Sequence, residues 1–160
     1  MHSLARVLVH ARTGRGWGGL RTMEAPEPQR LPEDLLSFQR HYWAVWDGAD
    51  LSAVGACLDD SFSGTFSGPE GFETLRVDRA GVLALMEASF GRARGVRARW
   101  RRSGIIWLRR GPGEAVAAMR VDVLFPDRPE WNNAEVTVEV YRRAPDGRWR
   151  ILRAHSERMR

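Results

Sequence analysis

The residue types able to do chemistry are scattered along this chain. A metal centre needs three or four histidine, cysteine or carboxylate ligands at short, fixed spacing. His41 and His155, the histidines of the folded part, have neither a second histidine nor a carboxylate at such spacing. No metal and no cofactor are therefore expected. Cys57 is the sole cysteine, which excludes an internal disulfide and a cysteine-based zinc cage. It shares an apolar helical face with Leu51, Val54 and Leu58, so it reads as a core thiol and not as a nucleophile. Asp59 and Asp60 read as the end of that helix. Arg97, Arg99 and Arg101 alternate along a predicted strand, and no acid occurs from Arg92 to Arg110. Such a ladder could meet an acidic small ligand or, with Trp100 and Trp107, a single-stranded nucleic acid. The plainer alternative is a solvated or dimer-facing sheet surface.

Charge decides against a polyanion. The formal net charge is +5, and all 25 basic residues are arginine, as a GC-rich genome would favour. Arg6, Arg12, Arg15 and Arg21 precede Met23 with no acid among them, which leaves 21 arginines against 20 acids in the remainder. A nearly neutral globular part gives little electrostatic reason to bind nucleic acid. No apolar run is long enough to span a bilayer, so no membrane partner is expected and the reading is a cytoplasmic protein. Gly14, Gly16, Gly18, Gly19, Pro26 and Pro28 interrupt any element in residues 1–30. That segment reads as a disordered arm or a leader translated from a misplaced start ahead of Met23. Residues 31–160 read as one domain with one core.

Pro32, Glu33 and Asp34 suit the first turn of a helix. Leu35, Phe38, Tyr42, Val45 and Trp46 then recur at helical spacing up to Gly48. Asp50 is placed to cap a second helix, and Asp78 a third with Val82, Leu83, Met86 and Phe90 inward. A short strand and loop are predicted over Ser61–Gly71. Strands are also predicted over Val96–Arg102, Ile105–Leu108 and Glu114–Phe125. A hairpin over Ala134–Glu157 turns at Pro145-Asp146-Gly147, where an Asx-type bond and a positive φ are expected. In its first strand Val136, Val138 and Val140 alternate with Glu135, Thr137, Glu139 and Tyr141, and the valine row reads as the apolar face. In its second strand Trp149, Ile151, Arg153 and His155 are expected on one face, and Leu152, Ala154 and Ser156 on the other. Helices followed by strands, without the alternation that parallel sheets require, predict an α+β fold with helices on one side of a curved antiparallel sheet.

Three motifs carry a family resemblance. They are Y-W-A-V-W-D-G-A-D-L at Tyr42–Leu51, Leu58-Asp59-Asp60-Ser61, and Y-R-R-x-x-D-G-R-W-R-I at Tyr141–Ile151. With the order of elements, they resemble the nuclear transport factor 2-like superfamily, and within it the SnoaL-like and ketosteroid-isomerase-like domains, from about Pro32 to Glu157. The fold implied is a cone: a curved antiparallel sheet wrapped around a long N-terminal helix with two further helices, leaving a pocket at its wide end. The superfamily includes isomerases, cyclases, dehydratases and protein-association modules, so fold alone does not choose a function.

The resemblance places Tyr42 where the isomerases hold the substrate oxyanion. A phenol aimed into an apolar pocket can donate to a developing enolate. The competing role is a core tyrosine with its hydroxyl satisfied locally. Glu139 falls where the isomerases keep a protonated acid. Its competing role is a solvated residue on the polar face of an edge strand, which Glu135 and Thr137 favour. The isomerase base should fall near Thr65 or Phe66, and neither abstracts protons at neutral pH. Asp122 falls on the opposite face from Met119 and Val121. The pocket is expected to be lined by Tyr42, Trp46, Phe66, Met119, Val121 and Leu152, with Glu139 its only acid. These expectations favour a small-molecule-binding domain that takes a largely apolar ligand and forms a homodimer through its outer sheet face. The alternatives are a non-catalytic association module and an isomerase- or cyclase-type enzyme using Tyr42 and Glu139.

Overall fold

The computed structural model describes residues 30–67, 74–92 and 98–159. The leader expected over residues 1–30 lies outside them, Arg30 aside, and so does Arg97 of the arginine ladder. Helix α1 spans Glu33–Asp47, with Glu33 and Asp34 in its first turn, where carboxylates complement the helix dipole. Its buried residues, Leu35, Gln39 and Tyr42, lie on one face. The N–H of Gly48 bonds back to the Ala44 carbonyl and closes the helix. Helix α2, Leu51–Cys57, begins at Asp50, whose Oδ1 accepts from the Ala53 N–H at 2.9 Å.

Asp59 and Asp60 do not end α2. The backbone is already extended at Leu58, with φ −86° and ψ 142°, and strand β1 runs Leu58–Ser67. Asp59 is a buried latch. It accepts hydrogen bonds from the Ser61 N–H at 2.9 Å, the Ser61 hydroxyl at 2.6 Å and Arg142 at 2.7 Å. Burial pushes its pKa up, but the bonds from Arg142 and Ser61 outweigh that and bring it down to about 2.

Strand β2, Thr74–Asp78, has no counterpart in the predicted elements. Asp78 caps helix α3, Arg79–Arg92, by accepting from the Gly81 N–H at 2.8 Å. Strand β3, Arg99–Gly111, merges two predicted segments across an irregularity between Ser103 and Ile106. Gly104 sits there at φ 61°, a conformation that glycine adopts without a side-chain penalty. Strands β4, β5 and β6 run Glu114–Leu124, Asn133–Arg143 and Trp149–Arg158. At the β5–β6 turn Asp146 Oδ1 accepts from the Arg148 N–H at 3.0 Å and Gly147 has φ 79°, the expected Asx-type turn.

The six strands form one sheet in the order β2-β1-β6-β5-β4-β3. Every neighbouring pair is antiparallel except β1 and β6, which run parallel. The fold is α+β, a cone in which α1 packs on β6, α3 packs on β1 and β2, and α2 lies between the other helices. Among the described residues no helix is long and apolar enough to cross a membrane.

The register reverses the expected facing of the hairpin. On β4, Ala115, Ala117, Met119, Val121 and Val123 belong to the core. Their partners on β5 are Tyr141, Glu139, Thr137, Glu135 and Asn133 in that order, and directly opposed residues share a sheet face. The polar row of β5 therefore points into the cone, and Val136, Val138 and Val140 point out. On β6, Tyr141 pairs with Ile151 while Val140 pairs with Arg153. Leu152 is thus the extra residue of a bulge, and such an insertion resets the alternation beyond it. Trp149 and Ile151 consequently share the inner face with Ala154 and Ser156, whereas Arg153 and His155 face out. The described part of the ladder, Arg99 and Arg101, also faces out. Arg99 is exposed, and Arg101 joins Arg120 in holding Asp122 from either side, at 2.8 and 2.7 Å.

Candidate functional site

A cavity of about 460 Å³ lies between the helices and the inner sheet face. Tyr42 and Trp46 reach it from α1, Phe66 from β1, and Met119 and Val121 from β4. Leu152 does not line it, because the bulge turns that position away and Ala154 and Ser156 occupy the wall instead. Phe62, Leu75, Met86 and Trp100 make most of the remaining surface apolar. Of Thr65 and Phe66, near which the resemblance places the isomerase base, Phe66 lines the cavity, and it contributes a ring and no proton acceptor.

Glu139 sits on this wall at 6% exposure, on a strand flanked by β4 and β6. It is not the solvated edge-strand residue that its neighbours in sequence suggest. The Tyr141 hydroxyl donates to Glu139 Oε2, and Gln39 Nε2 donates to that hydroxyl at 3.3 Å. Gln39 and Tyr141 are themselves buried. Burial pushes the Glu139 pKa above the ordinary glutamate value, against the opposing pull of the Tyr141 hydrogen bond, the Arg102 charge and the nearby Trp43 indole. Trp43 Nε1 is buried and stops short of hydrogen-bond geometry. With Oε2 accepting from Tyr141, a proton on the acid belongs on Oε1, which then becomes a donor.

Tyr42 is buried beside Glu139. Desolvation and the neighbouring carboxyl raise its pKa well above that of a free phenol, so it remains a hydroxyl donor. Phe38 stacks on it at 6.5 Å and Trp46 tilts against it at 6.2 Å. The two buried tyrosines differ in use: Tyr141 commits its proton to Glu139, and Tyr42 is on the cavity wall.

Two further residues of the site escape the sequence reading. Arg102 lines the cavity, lies 4.9 Å from the Trp43 ring centroid and forms a two-pronged pair with Asp47 at 2.9 and 3.2 Å. Its parity with Trp100, opposite to Arg99 and Arg101, was the available signal. Glu135 is the second, so Glu139 is not the only acid on the wall. The Ser156 hydroxyl donates to Glu135, and Thr137 Oγ1 lies 3.2 Å from Ser156 Oγ. Elsewhere, Cys57 is buried with its thiol pKa pushed up by desolvation, and His155 is exposed 3.9 Å from Glu157.

No protein-family model matches the sequence, and no curated protein does. Solved structures do match. A nuclear transport factor 2-like protein of unknown function from Pseudomonas putida superposes with a TM-score of 0.66 at 13% identity, covering 78% of this chain and 83% of its own. A ketosteroid isomerase-like protein from Erwinia carotovora gives 0.57 at 14%, covering 81% and 99%. ActVI-ORFA from Streptomyces coelicolor gives 0.59 at 22%, covering 78% and 94%. The chain has the nuclear transport factor 2-like fold. Within that cone, the inward polar row of β5 supplies the acids, β3 supplies Arg102, and α1 the phenol beside Glu139.

The raised pKa of Glu139 has a pH signature. Folding favours its protonated form, so the stability it supplies is complete below the ordinary value of 4.5 and is lost as pH rises through the folded value. Over the range above pH 4.5, the melting temperature of the wild type is expected to fall relative to Glu139→Gln as pH rises. A difference that stays constant across that range would contradict the assignment.

Proposed function

We propose that the cone binds a small, largely apolar molecule and holds its acceptor oxygen between Tyr42 and Glu139. The observation that carries this is the burial of Glu139 on an otherwise mostly aromatic and aliphatic wall, where Tyr141 holds one of its oxygens and Tyr42 lies beside it. A phenol or an enol has the matching chemistry: an apolar body, and one oxygen that accepts two hydrogen bonds. This favours a ligand-binding role over an association module, for which a buried acid facing a cavity has no evident use.

Proton transfer between carbons needs more. A base must reach the carbon next to the carbonyl whose oxygen the donors hold, within a few ångströms of them. Phe66 cannot serve. Glu135 lies four residues from Glu139 on one strand, roughly 13 Å away at about 3.3 Å per residue. Tyr42 and Glu139 therefore act as binding groups here and not as half of a proton shuttle, although a ketosteroid isomerase-like protein shares the fold.

We propose further that the protein works as a cytoplasmic homodimer joined through the outer sheet face. Ile106, Leu108 and Val136 are 71%, 53% and 43% exposed there, beside Val138 and Val140. A contiguous apolar strip of this kind is what a two-fold interface buries.

Titration with simple phenols tests the ligand reading. Tyr42→Phe is expected to lose about 1–3 kcal/mol of phenol affinity, the cost of an unpaired buried acceptor, and the wild type is expected to show no 3-oxo-steroid isomerisation above background. Unaltered phenol affinity in the variant, or robust isomerase turnover, would refute it. For the dimer, light scattering at micromolar concentration should give twice the chain mass for the wild type and the single-chain mass for Ile106→Arg. A monomeric wild type would remove the proposal.

A further inference from the structure

Glu135 and Glu139 project from the same face of β5 into one cavity. They differ in depth: Glu139 is buried, whereas Glu135 is half-buried, so the row runs from the closed part of the cone outward. They also differ in what holds them. Glu139 accepts a hydrogen bond from the Tyr141 hydroxyl at the inner end, and burial favours the acid form that can donate. Glu135 accepts a hydrogen bond from the Ser156 hydroxyl, and Thr137 adjoins Ser156 between the two acids. A carboxylate that accepts one serine bond keeps several acceptor positions free. The inner end of the cavity therefore offers donors, and the outer end offers an acceptor. The rings of Phe62, Phe66 and Trp100 line the space with apolar surface.

We infer that the cavity takes a two-ended ligand: a flat fused-ring molecule with an acceptor oxygen at the inner end and a hydroxyl donor at the outer end, the latter bonded to Glu135. This rests on the ligand-binding reading above and adds the second anchor to it. The roughly 13 Å between the two Cα positions, at about 3.3 Å per residue, suits a rigid skeleton of two or three fused rings. A single-ring phenol leaves Glu135 to water.

Calorimetric titration of the full chain with three probes decides the matter: 2-naphthol, naphthalene-2,6-diol, and 6-methoxy-2-naphthol, which keeps the second oxygen but has no proton to donate from it. The diol is expected to bind about fivefold more tightly than 2-naphthol, the net worth of one hydrogen bond. The methoxy compound should show no such gain. In Glu135→Leu the diol and 2-naphthol should bind alike. A diol no tighter than 2-naphthol overturns the inference, and so does an equal gain from the methoxy compound or a preference that survives in Glu135→Leu. In each of these cases binding of 2-naphthol leaves the simpler ligand reading standing. Binding of none of the probes overturns both.

Discussion

A carboxyl group enclosed by aromatic and aliphatic side chains must either give up its charge or gather enough donors to keep it. Glu139 is given a limited set. Tyr141 donates one hydrogen bond, Arg102 contributes a charge already shared with Asp47, and Trp43 stops short of bonding geometry. Burial remains the larger influence, and the acid is driven toward its neutral form. Much of the cone can be read as the apparatus that keeps this group in place. Gln39 on α1 steadies Tyr141, and Phe38 and Trp107 pack against the Tyr141 ring at 6.3 and 5.2 Å. These contacts tie α1, β3 and β5 to a single phenol.

Register is what delivers the acid to the cavity. The side-chain period of a strand is two, so a slip of one residue would move Glu135, Thr137 and Glu139 to the outside together. The slip is opposed from both flanks. The alternating apolar residues of β4 bury only in the observed pairing, and on β6 the bulge at Leu152 lets Trp149 and Ile151 share the inner face with Ala154 and Ser156. The Asp59–Arg142 latch pins β1 to β5 across β6. The same pairing sends three valines outward, which gives the outer sheet face its apolar strip.

The helices were legible in the sequence because their signals are local: helical spacing from Leu35 to Trp46, and side-chain caps at Asp50 and Asp78. The hairpin turn was legible for the same reason. Its facing was not. Alternation shows that two rows exist, and hydrophobicity then suggests that the valine row is buried, but this cone lines its cavity with the more polar row. Nothing local marks the bulge at Leu152, since the extra residue is defined only by pairing with Val140 and Tyr141. Leu152 was therefore assigned to the pocket and Glu135 left out of it. Arg102 was within reach, because it shares parity with Trp100, but it was hidden by the alternating arginines Arg97, Arg99 and Arg101 that precede it. The three solved structures resemble the whole domain in shape while sharing at most 22% of its residues, which is why the fold is plain and the ligand has to be argued from the site.

The donor role of Glu139 depends on its protonation, and infrared difference spectroscopy observes that state directly. The spectrum of the wild type minus that of Glu139→Gln should contain the C=O stretching band of a protonated carboxyl group, and the band should persist above pH 4.5, the ordinary glutamate value. It should also shift when a phenol binds, as the acid donates to the ligand oxygen. A difference spectrum at that pH with carboxylate bands alone would mean that Glu139 is ionised in the cone, and the donor role given to it here would be wrong.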